Sequence, residues 1–233
     1  MKTFLRILSI ISLFFIVNSC KKSTTVDSDF VNNAKLCNTN TEQNSFRSAP
    51  IKPTVGLFFL DFDGFGSYIG CNPTGQEIDT IKSIIERYYN QWQVSVTLDS
   101  NIYNQFSGKK QRVVFTNSGI GFLGIAVVGS MVNGDELNPV LVWWYGCVHN
   151  ITAYPDYKQL LGRVTVHELG HSLGLYHSVD YCGQNYTLPV NGQVPVMGLV
   201  TDAYVMSWVK KLTDQCYVQD NVAIISQTIK KRR

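Results

Sequence analysis

The run HELGHSLGLYH, residues 167–177, constrains this chain more than any other part of its sequence. His167 and His171 are four residues apart, so on a helix they lie one turn apart on the same face and can bind one ion. Glu168 lies beside them, where it can take a proton from a water molecule that the ion activates. Gly174 lets the chain leave the helix with a positive φ, which brings His177 back as a third ligand.

Three imidazole ligands leave the fourth position of a tetrahedral zinc ion open to water, and this distinguishes a catalytic zinc site from a closed structural one. The sequence therefore predicts Zn²⁺ as the cofactor, with His167, His171 and His177 as ligands and Glu168 as the general base. The alternative is an amphipathic helix whose histidines are core residues. That alternative does not explain Glu168, Gly174 and His177 together.

The pattern H-E-x-x-H-x-x-G-x-x-H resembles the metzincin clan of zinc metallopeptidases, and HELGHSLGL followed by Ser178 after the third histidine looks most like its matrixin branch. Metzincins also have a methionine-containing turn beneath the metal. Met197, in the segment VPVMG, is the candidate for that turn. A matrixin would place this methionine closer to the third histidine, which favours a less-defined bacterial metzincin branch. An ordinary core methionine is the alternative.

The resemblance implies an α+β fold, in which a twisted five-stranded mixed sheet lies over the active-site helix and a smaller C-terminal subdomain follows the third histidine. Hydrophobic periodicity along the chain agrees with this fold. The predicted elements are strand 55–62, a helix after the Thr74–Glu77 capping box, strands 94–98, 112–116, 123–132 and 140–145, the ligand-bearing helix 157–173, and a last helix that Thr201 caps and that has Val205, Trp208, Val209 and Leu212 on one side.

By analogy with the family, one strand forms the exposed edge of the substrate cleft, and here it contains Gly124, Ile125, Ala126 and Val127. A substrate peptide could pair with the free backbone groups of this strand by strand addition. A glycine-softened strand without a ligand is the alternative.

These residues predict a zinc-dependent endopeptidase acting on a protein or peptide substrate. The alternative from another class is a catalytically inert zinc-binding surface protein on a metzincin scaffold. Glu168 argues against that alternative, because a purely structural site would not need a base beside its ligands.

The N-terminus indicates export. Lys2 and Arg6 precede an apolar run at residues 7–17, which is the arrangement of a secretory signal. The run is too short to span a membrane, since a span needs ~20 apolar residues. Ser19 and Cys20 resemble a bacterial lipobox of the looser kind found in Bacteroidetes lipoproteins, which implies cleavage before Cys20 and lipidation of its thiol.

We therefore expect a signal peptide at residues 1–19, a lipid-anchored flexible tether at 20–54 and a catalytic domain at 55–233. The protein is expected in the outer membrane or on the cell surface of a Gram-negative bacterium, with a plain secreted protein as the alternative. The net charge of +3 falls further when the signal is removed, which gives no case for nucleic acid. We expect a monomer, with residues 230–233 as a solvated basic tail.

Cysteine use fits an exported protein, although an odd number remains once Cys20 is lipidated. One of these residues, Cys37, precedes the catalytic domain. In some matrixins a cysteine thiolate in an N-terminal segment occupies the fourth zinc position, so Cys37 is a candidate latency switch. A disulfide or an idle thiol at Cys37 is the favoured alternative. The other remaining cysteines are Cys71, Cys147, Cys182 and Cys216.

The segment FFLDFDG resembles the opening motif of haloacid-dehalogenase-type phosphatases, with Asp61 as nucleophile and Asp63 as general acid. Such an enzyme also needs a later acidic pair for magnesium, and the sequence offers no convincing one. A turn at Asp63 and Gly64 after the first strand is the favoured interpretation.

Overall fold

The structure is a computed structural model that describes residues 55–118, 123–144, 147, 156–179, 193–198, 205–214 and 218–233. The predicted signal peptide and tether, with Cys20 and Cys37, lie outside the described residues, as do Cys182, Thr201 and Cys216. No helix in the described ranges is long and apolar enough to cross a membrane.

A five-stranded mixed sheet forms the centre of the fold, as the sequence predicted. Four of its strands are parallel, and the last one is an antiparallel edge strand. Between the first two strands in chain order lies a small hairpin of β2 (Gly64–Phe65) and β3 (Tyr68–Ile69). The order across the sheet is β4 (Val94–Thr97), β1 (Gly56–Asp61), β5 (Lys109–Thr116), β7 (Val140–Trp143) and β6 (Gly124–Ile125).

Alternate residues of β1 face opposite sides of the sheet, because successive side chains of a strand point in opposite directions. Phe58 and Leu60 belong to the main core. Leu57 and Phe59 form a second, smaller cluster with Tyr103 of the short helix α2 (Ser100–Gln105). Both faces of β1 are therefore covered, which explains why its sequence is apolar at consecutive positions and not at alternate ones.

Helix α1 (Gly75–Tyr88) begins at the predicted capping box. The Thr74 hydroxyl accepts the Glu77 N–H at 3.3 Å, and the Glu77 carboxylate accepts the Thr74 N–H at 2.5 Å. The other oxygen of Glu77 accepts the Tyr157 hydroxyl at 2.5 Å, which links the start of α1 to the start of the ligand-bearing helix.

That helix, α4 (Tyr157–Ser172), is buried on all sides from Leu160 onward rather than along a single face. It packs against α1, and Gly162 makes the close approach possible, since a Cβ there would lie 2.6 Å from Ile84 Cδ1. The helix ends as predicted: Gly174 has φ 92°, and its N–H donates to His171 O at 2.8 Å.

Two predicted elements differ in the structure. The strand expected at 123–132 ends at Ile125, because Gly129 turns the chain with φ 78° into the short helix α3 (Ser130–Asn133). The prediction of a last helix after Thr201 is wrong. The described residues of that segment form strands β9 (Val205–Ser207) and β10 (Lys210–Leu212).

This segment forms strands because its tertiary contacts outweigh the helical spacing of its apolar residues. β9 is parallel to β8 (Gln193–Pro195), and its Met206 is buried in the core. Trp208 packs edge-on against Trp92, and its indole N–H donates to Tyr88 O at 2.8 Å.

The final helix comes later in the chain and starts at an Asp220 cap. β10 is antiparallel to β11 (Val218–Asp220), and helix α5 (Asn221–Thr228) follows.

The basic C-terminal tail is attached to the domain by its backbone. Lys230 O accepts the Gln93 N–H at 2.7 Å, and the Arg232 N–H donates to Gln91 O at 2.8 Å. The tail thus runs antiparallel to the segment just before β4, while its basic side chains remain exposed. It is pinned to the surface rather than simply solvated.

Candidate metal centre

Three histidines converge at the end of α4. His167 and His171 lie one turn apart on the helix, and His177 returns after the Gly174 turn, as predicted. Their ring centroids are 4.6 to 5.2 Å apart. One ring nitrogen from each lies within 4.8 Å of the others, and these three residues are the one such group among the described parts of the chain.

The hydrogen bonds of the two helix histidines orient their rings. His167 Nδ1 lies 2.7 Å from Val196 O, and His171 Nδ1 lies 2.7 Å from Leu175 O. A carbonyl oxygen only accepts, so each Nδ1 carries the proton and each Nε2 keeps its lone pair. This arrangement of an oriented, basic imidazole is the one that metal-binding histidines adopt.

Burial keeps these two imidazoles neutral. His167 is 5% exposed and His171 7% exposed. Desolvation, reinforced by the neighbouring imidazoles, lowers the pKa of His167 to about 3. Desolvation likewise lowers the pKa of His171 to about 4. Since only a neutral imidazole binds a metal, both residues stay competent as ligands at any pH near neutrality.

His177 is held differently. Its side chain is 37% exposed, and its Nδ1 lies 3.3 Å from a carboxylate oxygen of Asp214. The backbone around it is fastened as well, since the Ser178 N–H donates to Met197 O at 2.7 Å and the Asp214 N–H donates to His177 O at 3.1 Å.

The donor set fits a zinc ion. His171 Nε2 and His177 Nε2 are 3.1 Å apart. Two ligands at 2.0–2.1 Å in a tetrahedron would be separated by about 3.3 Å. Neither of these two nitrogens carries a proton, so no hydrogen bond can form between them. A cation bound to both lone pairs would stabilise the two nitrogens at this distance. The three histidines would hold Zn²⁺ through their Nε2 atoms.

Glu168 lies between this cluster and the sheet edge. It is 8% exposed, and desolvation raises the pKa of its carboxyl to about 8. A divalent cation beside it would lower that pKa again, since an opposite charge favours the ionised form. A carboxyl that titrates near neutrality is suited to both accepting and returning a proton.

Gly124 of β6 provides the space that Glu168 occupies. A Cβ on Gly124 would lie 2.6 Å from Glu168 Cγ and 2.9 Å from its Oε1. The strand backbone therefore passes directly over the carboxylate, and any side chain at this position would displace it.

Met197 lies in a turn that follows β8, as the sequence predicted, where the Gly198 N–H donates to Pro195 O at 3.0 Å. It is buried, and its sulfur packs against the backbone of α4 at Gly170, where a Cβ would collide with it. The residue before it, Val196, supplies the carbonyl that orients His167. The turn thus supports the helix from below, next to the two ligands.

The predicted cleft edge is at the margin of the sheet. Gly124 pairs with Val142 and Ile125 with Leu141, and no strand pairs with the outer side of β6 among the described residues. Ile125 and Val127 are exposed, whereas Ala126 packs against the core. Within the described part of the chain, the outer side of β6 is therefore open to a further strand, whereas Val127 O already accepts the Ser130 N–H at 3.1 Å.

The phosphatase-like segment has a structural role. Asp61 is buried, forms an ion pair with Arg112 at 3.7 Å and accepts the Asp63 N–H at 3.0 Å. Gly64 follows with φ 99° and starts the β2–β3 hairpin. This is the turn that the sequence favoured.

Cys71 and Cys147 are free thiols, and burial raises the pKa of each to about 12.

Sequence reasoning missed the partners of the third ligand. Asp214 approaches the His177 ring, and Gln219 binds the peptide of Tyr176 through both its amide oxygen and its amide nitrogen. No spacing rule connects these residues to the histidine run. The segment that contains Asp214 follows residues that were predicted to be helical, so the hairpin that presents Asp214 and Gln219 was not foreseen.

Comparison with known proteins shows what the stretch that carries the site is similar to. Residues 74–178 match the family model of reprolysin-like metallopeptidases of family M12B. No curated protein matches the chain. Two structures of myroilysin are similar, at 18% and 17% identity, covering 55% and 60% of this chain, with TM-scores of 0.31 and 0.33. This chain spans 52% and 50% of those two proteins, which is about half of their length.

Archaemetzincin from Methanopyrus kandleri is also similar, at 16% identity over 57% of this chain and 81% of that one, with a TM-score of 0.31. The family model covers the capping box of α1, the sheet strands β4 to β7, the helix α4 and all three histidines. The site-bearing stretch, residues 74–178, is therefore similar to reprolysin-like metallopeptidases, and the metzincin resemblance predicted from the histidine run is confirmed over that stretch.

Proposed function

We propose that this protein is a zinc-dependent endopeptidase, with His167, His171 and His177 as the zinc ligands and Glu168 as the general base. The observation that carries the proposal is the convergence of three Nε2 atoms beside a buried carboxylate at the open edge of the sheet. The match to a metallopeptidase family supports the reaction class.

Zinc at this position would activate a water molecule and polarise the scissile carbonyl. The chain itself supplies the proton transfer and the orientation. Glu168 accepts a proton from the attacking water and passes it to the leaving amine, as its position at the ligand cluster requires. Val196 O and Leu175 O keep the proton of each helix histidine on Nδ1, so the metal-facing nitrogens stay unprotonated.

The substrate is a peptide in an extended conformation. The outer edge of β6 offers backbone donors and acceptors beside Glu168, and an added strand would use them. A peptide held through backbone groups can extend beyond the site in both directions, which favours cleavage within a chain over removal of terminal residues. Gly124, Ile125, Ala126 and Val127 would form this binding edge.

A catalytically inert zinc-binding surface protein is the second candidate. The three histidines alone would be compatible with it. Glu168 distinguishes the two, since burying a carboxylate beside the ligands raises its pKa and costs stability without contributing a ligand.

Hydrolysis of a peptide library tests the proposal. The chain without its predicted signal peptide is incubated with the library, with and without a zinc chelator. We expect internal cleavage that the chelator abolishes and added zinc restores. Glu168→Gln is expected to lose activity and keep its zinc, while Glu136→Gln, an exposed carboxylate, serves as the matched control. Equal loss of zinc and activity in Glu168→Gln would show that its role is misassigned.

For the cellular location, we propose export and lipid anchoring through Cys20, as the lipobox resemblance implies. Cys20→Ser is expected to release the protein from the membrane or to retain it as a precursor. A single acyl chain anchors a protein only marginally, but bacterial lipoproteins resemble the multiply acylated case, which anchors stably. The wild-type protein should therefore remain in the membrane fraction after a salt wash. An unchanged distribution of the Ser variant would rule the lipobox out.

Regulation by Cys37 is a separate hypothesis. A thiolate on the tether could occupy the open zinc position and keep the enzyme latent. Cys37→Ser would then raise the activity of the uncleaved protein. A Cys37 found in a disulfide would contradict this hypothesis and would leave the zinc site as described.

A further inference from the structure

We propose that Asp214 is a positioning residue for the metal centre, acting through His177; this inference rests on the proposed zinc site. The carboxylate of Asp214 faces His177 Nδ1 across 3.3 Å. Asp214 lies outside residues 74–178, the stretch that matches the metallopeptidase family, so the family match assigns it no role.

Asp214 faces the ring nitrogen that determines where the third ligand carries its proton. His167 and His171 have backbone carbonyls at Nδ1, which keep the proton there. At His177 the acceptor that faces Nδ1 is the carboxylate of Asp214. Because a carboxylate favours the tautomer with the proton on Nδ1, it leaves the Nε2 lone pair for the metal. His177 Nε2 does face the cluster, 3.1 Å from His171 Nε2.

The backbone that carries His177 is fixed relative to Asp214. The third-ligand loop, residues 175–178, is fastened to the β10–β11 hairpin at several points. Gln219 accepts the Tyr176 N–H at 2.9 Å and donates to Tyr176 O at 3.1 Å. Ser178 forms an antiparallel bridge with Thr213. The Asp214 N–H donates to His177 O at 3.1 Å, so the carboxylate and the imidazole are held by adjoining backbone.

The charge of the ligand set gives Asp214 a further role. Three neutral imidazoles contribute no negative charge to balance a divalent cation. The carboxylate of Asp214 lies at Nδ1 of His177, while Nε2 of the same ring faces the cluster. A carboxylate in this position raises the basicity of the imidazole and strengthens its bond to the metal. Asp214 is 36% exposed, so solvent screens part of this effect.

Metal titration tests the inference without any peptidase assay. The metal-free protein is titrated with zinc in competition with a chromophoric chelator, and the visible spectrum of the Co²⁺-substituted protein is recorded. Asp214→Ala is expected to bind zinc about 10- to 100-fold more weakly. Asp214→Asn retains an acceptor and loses the charge, so its affinity should lie between that of wild type and that of the Ala variant. Asp79→Asn, an exposed carboxylate on α1, is the matched control and should bind zinc like wild type.

The spectrum and the stability of the metal-free protein separate positioning from simple structural support. A positioning role predicts an altered Co²⁺ spectrum in Asp214→Ala, with a thermal midpoint of the metal-free protein close to that of wild type. Wild-type zinc affinity and an unchanged spectrum in Asp214→Ala would overturn the inference, and so would an affinity loss accompanied by an equal loss of metal-free stability. A wild-type protein that binds no zinc would instead refute the proposed function.

Discussion

The helix-borne ligands His167 and His171 are buried and oriented by backbone carbonyls, whereas His177 is half-exposed and oriented by the side chain of a distant hairpin. The first half of the site is part of the core of the domain. The second half is a short loop that depends on β10 and β11 for its position. The difference indicates that packing of the core orients His167 and His171, while the position of His177 depends on the contacts of its loop with the β10–β11 hairpin.

Such a division has a physical consequence. Changes in the helix half should affect folding and metal binding together, because the same atoms serve both. Changes at His177 or Asp214 should affect metal binding with little effect on the metal-free fold, since a partly exposed contact contributes little to stability.

Removing a ligand from each half gives the largest expected effect. Both His167→Ala and His177→Ala should weaken zinc binding roughly 1000-fold or more, because ~10–16 kcal/mol of binding free energy is shared among few ligands. Only His167→Ala should also lower the free energy of unfolding of the metal-free protein, by about 1–3 kcal/mol, since it leaves the Val196 carbonyl without a partner. Chelator competition and urea unfolding measure the two quantities. Equal destabilisation by the two variants would contradict the comparison.

The helix half also predicts an unusual pH dependence for the metal-free protein. His167 and His171, with pKa values lowered to about 3 and about 4, remain neutral in the fold but gain protons when unfolded. Their contribution is complete above pH ~6.5 and is lost as the pH falls towards these values. Glu168, with its pKa raised to about 8, has the opposite sign: its contribution is complete below pH ~4.5 and is lost as the pH rises to 8.

Stability of the metal-free protein should therefore pass through a maximum at pH ~6.5, where two opposing trends of a few kcal/mol meet. Urea midpoints measured from pH 4 to pH 9 test this expectation. Glu168→Gln should remove the decline on the alkaline side and leave the acidic side in place. A flat profile in the wild-type protein would show that these groups are not desolvated as the structure has them.

Gly124→Ala tests the space above Glu168. The added methyl group would displace the carboxylate, so we expect kcat to fall about 100-fold, which is the order of effect that a misplacement of about 1 Å produces. Zinc stoichiometry should not change, since the ligands are untouched. Gly75→Ala is the control, because a Cβ there meets nothing within 4 Å. Full activity of Gly124→Ala would mean that the edge strand lies further from Glu168 than the structure places it.

Met197→Leu should have the smallest effect. Met197 touches both halves of the site, through its sulfur against Gly170 and its carbonyl to the Ser178 N–H. The backbone bond survives the substitution, and a side chain of similar volume costs less than about 1.5 kcal/mol. Thermal unfolding and zinc titration together check this. A large loss of zinc affinity with unchanged stability would assign the sulfur a more direct role at the metal.

Several features of the structure were predicted correctly because their cause is local. The capping box of Thr74 and Glu77 and the positive φ of Gly174 depend on residues a few positions away, so their pattern is visible in the chain. The spacing of His167 and His171 is likewise a property of any helix. Apolar runs predicted the individual strands, and the resemblance to metzincins implied their five-stranded mixed sheet, although the strand with Gly124 was predicted too long.

Tertiary structure alone decided how the third ligand is held. The residues around Trp208 have helical spacing, yet they form strands because Met206 and Trp208 pack into the core beside Trp92. Because this segment forms strands, it contributes to the β10–β11 hairpin, and that hairpin places Asp214 opposite His177. The closeness of Gly124 to Glu168 has the same origin, since it depends on how the sheet edge lies over α4. Sequence determined which groups could bind the metal, because ligand chemistry and helical periodicity are local. Long-range packing determined their orientation and partners, because those contacts join residues far apart in the chain.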